Sequence, residues 1–216
     1  MGGFDLTTFI QTACIWAIPV LFAITIHEAA HAYAARHFGD NTAYAEGRLT
    51  LNPLKHIDPL GTIILPLVLL ALGGFLFGWA KPVPVRFGNL RNPKRDMRWV
   101  AAAGPLSNYA QAFVWLILLK LATGMEGSDF QQPLFLMAKA GITINLSLMV
   151  LNLLPLPPLD GGRILVSLLP WKQAEQVSRI EPYGFWILLA LLATGLLGVI
   201  MSPLLGIAAM PLQWLI

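Results

Sequence analysis

Long apolar stretches alternate with short polar ones along the whole chain. Residues 6–26, 60–80, 99–119, 140–159 and 183–216 carry no charge, and several approach the ~20 residues that a membrane-spanning helix needs. Residues 6–38 read as one helix, about 50 Å long at 1.5 Å per residue, longer than a ~30 Å hydrocarbon core. Its end, with Arg36 and His37, should therefore emerge on one side. Pro19 is placed to kink it, and Gly39-Asp40-Asn41 is a stop signal. The loop 40–58 is polar, with short β-like patterning from Thr42 to Leu51. Spans are expected from Trp99 to Leu121, from near Pro133 to Leu154, and from 183 to about Ile200. Ser202-Pro203 should then start a shorter apolar tail. Between Asn152 and Asp160, Pro155, Pro157 and Pro158 forbid a regular helix. Broken backbone at membrane depth is tolerated only beside protein or a water-filled cavity.

The run 60–80 is interrupted by Pro66 and by Gly73-Gly74, and it has two readings. Its flanks hold Arg36, Arg48 and Lys55 on one side, and six Lys and Arg from Lys81 to Arg98 on the other. Basic loops favour the cytoplasm, so a full span between two basic flanks violates the rule. A re-entrant hairpin turning at the glycine pair satisfies it, although 21 residues would also suffice to span. Twelve of the fourteen Lys and Arg fall in loops 36–58, 81–98 and 163–181. That skew places the N-terminus outside and the end of the first helix toward the cytoplasm.

Composition agrees. Of the 216 residues, 56% are hydrophobic and only 12% charged, about half the ~25% charged residues of a soluble domain. The fold expected is an all-α polytopic membrane protein, one domain over residues 1–216, with the lipid bilayer as its solvent. A pI near 9.2 reflects cytoplasmic loops, so nucleic acid is not an expected partner. The single cysteine, Cys14, allows no intramolecular disulfide and no cysteine metal cage. The segment before residue 8 lacks a basic region, so the first run reads as a retained helix and not a cleaved signal.

Chemistry concentrates in His27-Glu28-Ala29-Ala30-His31. Positions i and i+4 share a helix face, so two imidazoles can meet one ion, with Glu28 placed to reach a water on it. This is the H-E-x-x-H arrangement of a zinc hydrolase with a glutamate general base. Polar glue between helices is the bland alternative, but three ionisable groups in five membrane residues make an expensive glue. A catalytic zinc usually has three protein ligands and one open position. Ala34 stands where a metzincin continuation requires glycine, so that continuation fails although His37 holds its last position. Asp40, Glu46, His56 and Asp58 follow in polar loop sequence. Asp160 stands apart, a carboxylate after broken apolar backbone with Gly161 and Gly162 behind it.

His27-Glu28-Ala29-Ala30-His31, Gly104-Pro105-Leu106-Ser107-Asn108, and Asn152 through Asp160-Gly161-Gly162 together resemble the site-2 protease family of intramembrane zinc metalloproteases. The resemblance covers residues 27–162. It implies that His27, His31 and Asp160 bind zinc and that Glu28 activates the water. It also implies a three-helix core of the motif helix, a helix starting near Gly104 and a helix ending at Asp160, supplemented by the 60–80 segment and a C-terminal helix. Asn108 matches a polar position of the middle helix, either as an oxyanion or substrate contact or as a helix–helix hydrogen bond. Asn152 either satisfies carbonyls freed by the prolines or contacts substrate. Arg163 is placed to pair with Asp160 or a lipid phosphate, or to anchor at the cytoplasmic face.

The chain shows no inserted PDZ-like domain and no regulatory domain. Its extra apolar segment 60–80 resembles the compact bacterial and archaeal members, so a prokaryotic cell membrane is the expected location, with gating expected from that segment and loop 81–98. The activity implied is cleavage of single-pass membrane proteins near the cytoplasmic side, as in regulated intramembrane proteolysis, with an extended edge near 42–51 holding the substrate. A zinc-binding scaffold or a metal transporter is the alternative. A transporter usually carries internal repeats, which are not found here, and a scaffold has no need of Glu28. The sequence leaves oligomeric state open.

Overall fold

The structure, a computed structural model, describes residues 5–71, 78 and 80–215. In chain order its helices are α1 (Leu6–His37), α2 (Thr42–Ala45), α3 (Leu65–Ala71), α4 (Pro93–Thr123), α5 (Gln131–Asn152), α6 (Asp160–Leu168), α7 (Trp171–Ser178), α8 (Glu181–Ala193) and α9 (Leu196–Gln213). Among the described residues there is no strand. Helices α1, α4, α5 and α9 are long and apolar enough to cross a bilayer. The chain is therefore an all-α, multi-pass integral membrane protein.

Local chemistry sets the ends of these elements. Asp5 caps α1 by accepting from the Thr7 and Thr8 amides at 3.1 and 3.2 Å, and Gly39 turns the chain away at φ +112°. Pro93 takes the first position of α4, where its missing N–H costs nothing. Asp96 reaches back to accept from the Asn92 amide at 2.8 Å. Helix α4 thus starts well before Gly104, which lies in its middle rather than at its start.

Helix α1 buries a stripe of small residues, Ala23, Ala29, Ala32 and Ala35, each at most 1% exposed. Small residues let backbones approach closely, the usual basis of helix association in lipid. Helices α1, α4 and α5 pack mutually, and α6 closes against α4. Ala112 and Leu116 of α4 meet Leu146 and Val150 of α5, and Leu188 of α8 with Leu197 and Met201 of α9 extends that apolar core.

Three expectations change. The β-like stretch beginning at Thr42 opens instead with the helical turn α2, capped by local i to i+4 bonds such as Glu46 N–H to Thr42 O at 3.1 Å. The C-terminal break falls at Gly195 and not at Ser202-Pro203. Gly195 takes φ +75°, the left-handed conformation that ends a helix, while α9 runs through Pro203. Finally, α5 stops at Asn152, and Asp160 opens the next helix rather than ending the previous one.

The 60–80 run starts as a π-helical turn, Pro59–Ile64, and continues as α3. The turn expected at Gly73-Gly74 lies outside the described residues. Gly78 lies so close to the start of the run that a Cβ there would stand 2.2 Å from Gly61 O. The Lys81 amide then donates to His56 O at 3.0 Å.

Residues 81–86, Lys-Pro-Val-Pro-Val-Arg, form a non-helical strap, since a residue before proline is held in extended backbone. The loop 40–58 fastens it at both ends. Arg48 Nη2 donates to Lys81 O at 2.8 Å and to Pro82 O at 3.3 Å. Asp40 Oδ2 accepts from the Arg86 amide at 2.7 Å. Burial pushes the Asp40 carboxyl up, but bonds from the Thr42 hydroxyl, the Arg86 and Thr42 amides and Asn89 outweigh it. They hold Asp40 below the usual carboxylate range.

Candidate metal centre

One turn of α1 brings His27 and His31 to the same face, toward α4 and the start of α6. Their Nε2 atoms are 3.0 Å apart, and Asp160 Oδ2 lies 3.2 Å from the first and 3.3 Å from the second. Among the described residues this is the cluster of ligating side chains close enough to share an ion.

The hydrogen bonds behind the ligands decide what the triangle is. His27 Nδ1 faces Asn108 Oδ1 at 2.6 Å, and His31 Nδ1 faces the Val100 carbonyl at 2.8 Å. Both acceptors lack a proton, so each Nδ1 carries the hydrogen and each Nε2 presents a lone pair. The buried Asp160 Oδ2 has no hydrogen-bond donor. Three lone pairs thus converge with nothing to bind them, which is costly unless a cation sits between. Ligands about 2.05 Å from a tetrahedral zinc stand about 3.3 Å apart, close to the observed edges.

Gly104 keeps that space open. A Cβ at this position would lie 2.5 Å from both Nε2 atoms. Two imidazoles, one carboxylate and an open side match the donor set of a catalytic zinc site, and the residues present fit that ion.

Glu28 and Asn152 border the same cavity of about 130 Å³ as the three ligands. Glu28 Oε2 accepts from the Val83 amide at 2.7 Å, which ties it to the strap. A second, mostly apolar cavity of about 370 Å³ adjoins it, reaching Ile24, Leu148 and Leu188.

Residues 15–195 match the family model of peptidase family M50. The chain belongs to that family. Over 192 residues, 88% of this chain and 84% of the other, it is 44% identical to a protein of Bacillus subtilis (strain 168) named "Putative zinc metalloprotease YwhC". Over 179 residues, 81% of this chain and 64% of the other, it is 33% identical to "Putative zinc metalloprotease Rip2" of Mycolicibacterium smegmatis. No solved structure matches the chain. The family is one of metalloproteases, and the names of these relatives specify zinc.

In this M50 chain, Asn108 stands apart from the cavity. It is fully buried, with Oδ1 on His27 and Nδ2 donating to Ala23 O at 3.1 Å and to Asn145 Oδ1 at 2.9 Å. With its amide committed to protein, it matches the helix–helix hydrogen-bond reading of the two. Asn152 Nδ2 donates to Leu148 O at 3.0 Å, one turn back in α5, and not to a carbonyl freed by the prolines. His56, Asp40, Glu46 and Asp58 lie outside the ligand cluster. Arg163 forms no ion pair with Asp160 among the described residues and borders both cavities instead.

Sequence reasoning overlooked Val83, Asn145 and the Val100 carbonyl. The spaced Pro82 and Pro84 were a signal for the strap. Nothing local marked the other two.

Proposed function

We infer that this M50 chain is an intramembrane zinc endopeptidase that cuts single-pass membrane proteins near the cytoplasmic side, in regulated intramembrane proteolysis. The observation that carries this reading is the His27–His31–Asp160 triangle on a spanning helix, with a carboxylate and an apolar cavity beside it. His27 stands ten residues before the end of α1, or about 15 Å along it. The clustering of Lys and Arg in loops 36–58, 81–98 and 163–181 supports the cytoplasmic assignment of that end and an outer N-terminus.

A zinc ion held by His27, His31 and Asp160 supplies the Lewis acidity that makes water a nucleophile near neutral pH and polarises a carbonyl. Glu28 takes the proton as the water oxygen bonds to the scissile carbonyl carbon. When the C–N bond breaks, Glu28 delivers that proton to the leaving nitrogen, so the carboxylate is regenerated. Asn108 and the Val100 carbonyl hold the imidazoles in the ligating tautomer.

A peptide in a hydrogen-bonded helix is a poor substrate, so the target must unwind. The strap is the extended backbone beside Glu28, and it replaces segment 42–51 as the place for strand addition. Pro82 and Pro84 carry no N–H, and the Val83 and Arg86 amides are held by Glu28 and Asp40, which leaves Val85 as the strap residue with an N–H to pair. Both valines border the metal cavity.

The test is Glu28→Gln. Retained zinc with an accumulating single-span precursor in the membrane proteome supports the reading. Unchanged processing would overturn it, in favour of a zinc-binding scaffold or transporter.

A further inference from the structure

Asn108, the natural candidate to stabilise a developing oxyanion, is sealed behind His27. The site then needs another donor, and the cavities restrict the choice. The two cavities share six bordering residues: His27, Glu28, Pro82, Asn152, Pro158 and Arg163. Proline offers no side-chain donor, Glu28 is the base, His27 Nδ1 is taken by Asn108, and Asn152 spends one of its two amide hydrogens on Leu148 O, leaving a neutral donor weaker than a charged one. Arg163 is the one cation in the set.

Its surroundings leave it available. Arg163 sits three residues after Asp160 on α6, a spacing that favours ion pairing on a helix. Yet Asp160 Oδ2 faces the two histidines, and no ion pair joins it to Arg163 among the described residues. The guanidinium lies 5.3 Å from the centre of the Phe87 ring, a contact that uses none of its hydrogen-bond donors. Phe87 follows the strap directly and borders the metal cavity with Arg163, so the guanidinium sits between α6 and the end of the strap. A half-buried guanidinium without an anionic partner, at the junction of the metal cavity and an apolar cleft, is built to receive an oxygen from whatever fills the cleft.

We propose that Arg163 is a catalytic residue, the donor that binds the scissile carbonyl oxygen as it becomes an oxyanion. This rests on the hydrolytic reading above. As the water oxygen bonds to the carbonyl carbon and its proton passes to Glu28, the carbonyl π electrons move onto oxygen. Arg163 donates to that oxygen and keeps its own protons. The charge returns to the carbonyl when the C–N bond breaks.

The experiment uses the full chain in detergent micelles, loaded with zinc, and a pair of apolar decapeptides. One has a normal central amide, and the other has a phosphinate there, which carries the negative tetrahedral oxygens of the addition step. Arg163→Gln is expected to weaken phosphinate binding by about 100-fold, within the range set by losing one oxyanion donor. Binding of the amide peptide should change by no more than about twofold, because the added charge is absent from it. Arg163→Lys, which keeps the charge but loses the planar fork, should fall between. Millimolar guanidinium ion should restore phosphinate affinity to Arg163→Ala, a rescue that a purely structural role would not show. Phosphinate affinity unchanged in Arg163→Gln, or equal losses for both peptides, would overturn the assignment while leaving the protease reading intact. Failure of the unaltered, zinc-loaded chain to bind phosphinate would overturn both.

Discussion

Asn108 Oδ1 lies 2.6 Å from His27 Nδ1, joining the middle of α4 to a candidate metal ligand 81 residues earlier. The same side chain reaches Ala23 O on α1 and Asn145 on α5, so one amide fixes three helices and one tautomer. Asn108→Leu should therefore weaken zinc binding by about 10- to 100-fold, the usual effect of losing an outer partner of a ligating histidine. It should also destabilise the fold by about 1–3 kcal/mol, because His27 Nδ1 and Asn145 Oδ1 lose the partner that Asn108 gives them and stay buried. Titration with a competing chelator checks the first effect, and thermal unfolding in detergent the second.

At Gly104 the constraint is volume. Gly104→Ala puts a methyl group 2.5 Å from both ligating nitrogens, where the ion belongs. Zinc should be lost or reduced to substoichiometric levels in chain that still inserts with native helix content. Elemental analysis of the purified protein beside its circular dichroism decides this. Full zinc occupancy would show that α4 can retreat from the site.

Val83→Pro removes the single N–H that the strap gives to Glu28. Three consecutive prolines keep the extended backbone, so the change deletes a donor without folding the strap differently. Turnover should fall by about 10- to 100-fold, the worth of one hydrogen bond to a charged group, with zinc content unchanged. Processing of the precursor identified with Glu28→Gln measures it.

Asp40 makes stability depend on acid. Its folded-state pKa lies below the ordinary carboxylate value, so between the two values the unfolded chain binds the extra proton. The carboxylate's contribution is complete above about pH 4 and is lost as the pH falls through the folded value. Asp40→Asn should lower the unfolding temperature at neutral pH and flatten its fall below pH 4. Unfolding scans between pH 3 and 7 would show a parallel fall in both proteins if Asp40 were not the group responsible.

Much of the scaffold was legible because it is local. Charge-free runs marked the long helices, and the i, i+4 spacing of His27 and His31 defined half of the site. Asp160 was visible as an odd carboxylate, but only the family resemblance linked it to the histidines. Its position depends on how α6 folds back against α4. The break at Gly195 was missed because Ser202-Pro203 looked stronger; glycine at φ +75° reverses the chain, while a proline inside a lipid-facing helix can be accommodated. Asn108 was recognised as polar, but its partner is set by the packing of α1 on α4. In sequence the strap looks like part of a basic loop, since its hold on Glu28 is a backbone bond that no side chain announces.

The order of the ligands along the chain has a consequence for biosynthesis. Two of them arrive within the first 31 residues, but the third waits until residue 160. A nascent chain that has inserted α1 and α4 already holds Glu28 and two histidines in the membrane, yet it lacks the three ligands that a catalytic zinc requires. A hydrolase active at that stage would threaten its neighbours and itself during insertion. With the proposed third ligand after α5, each new molecule would stay inert until α6 has been made.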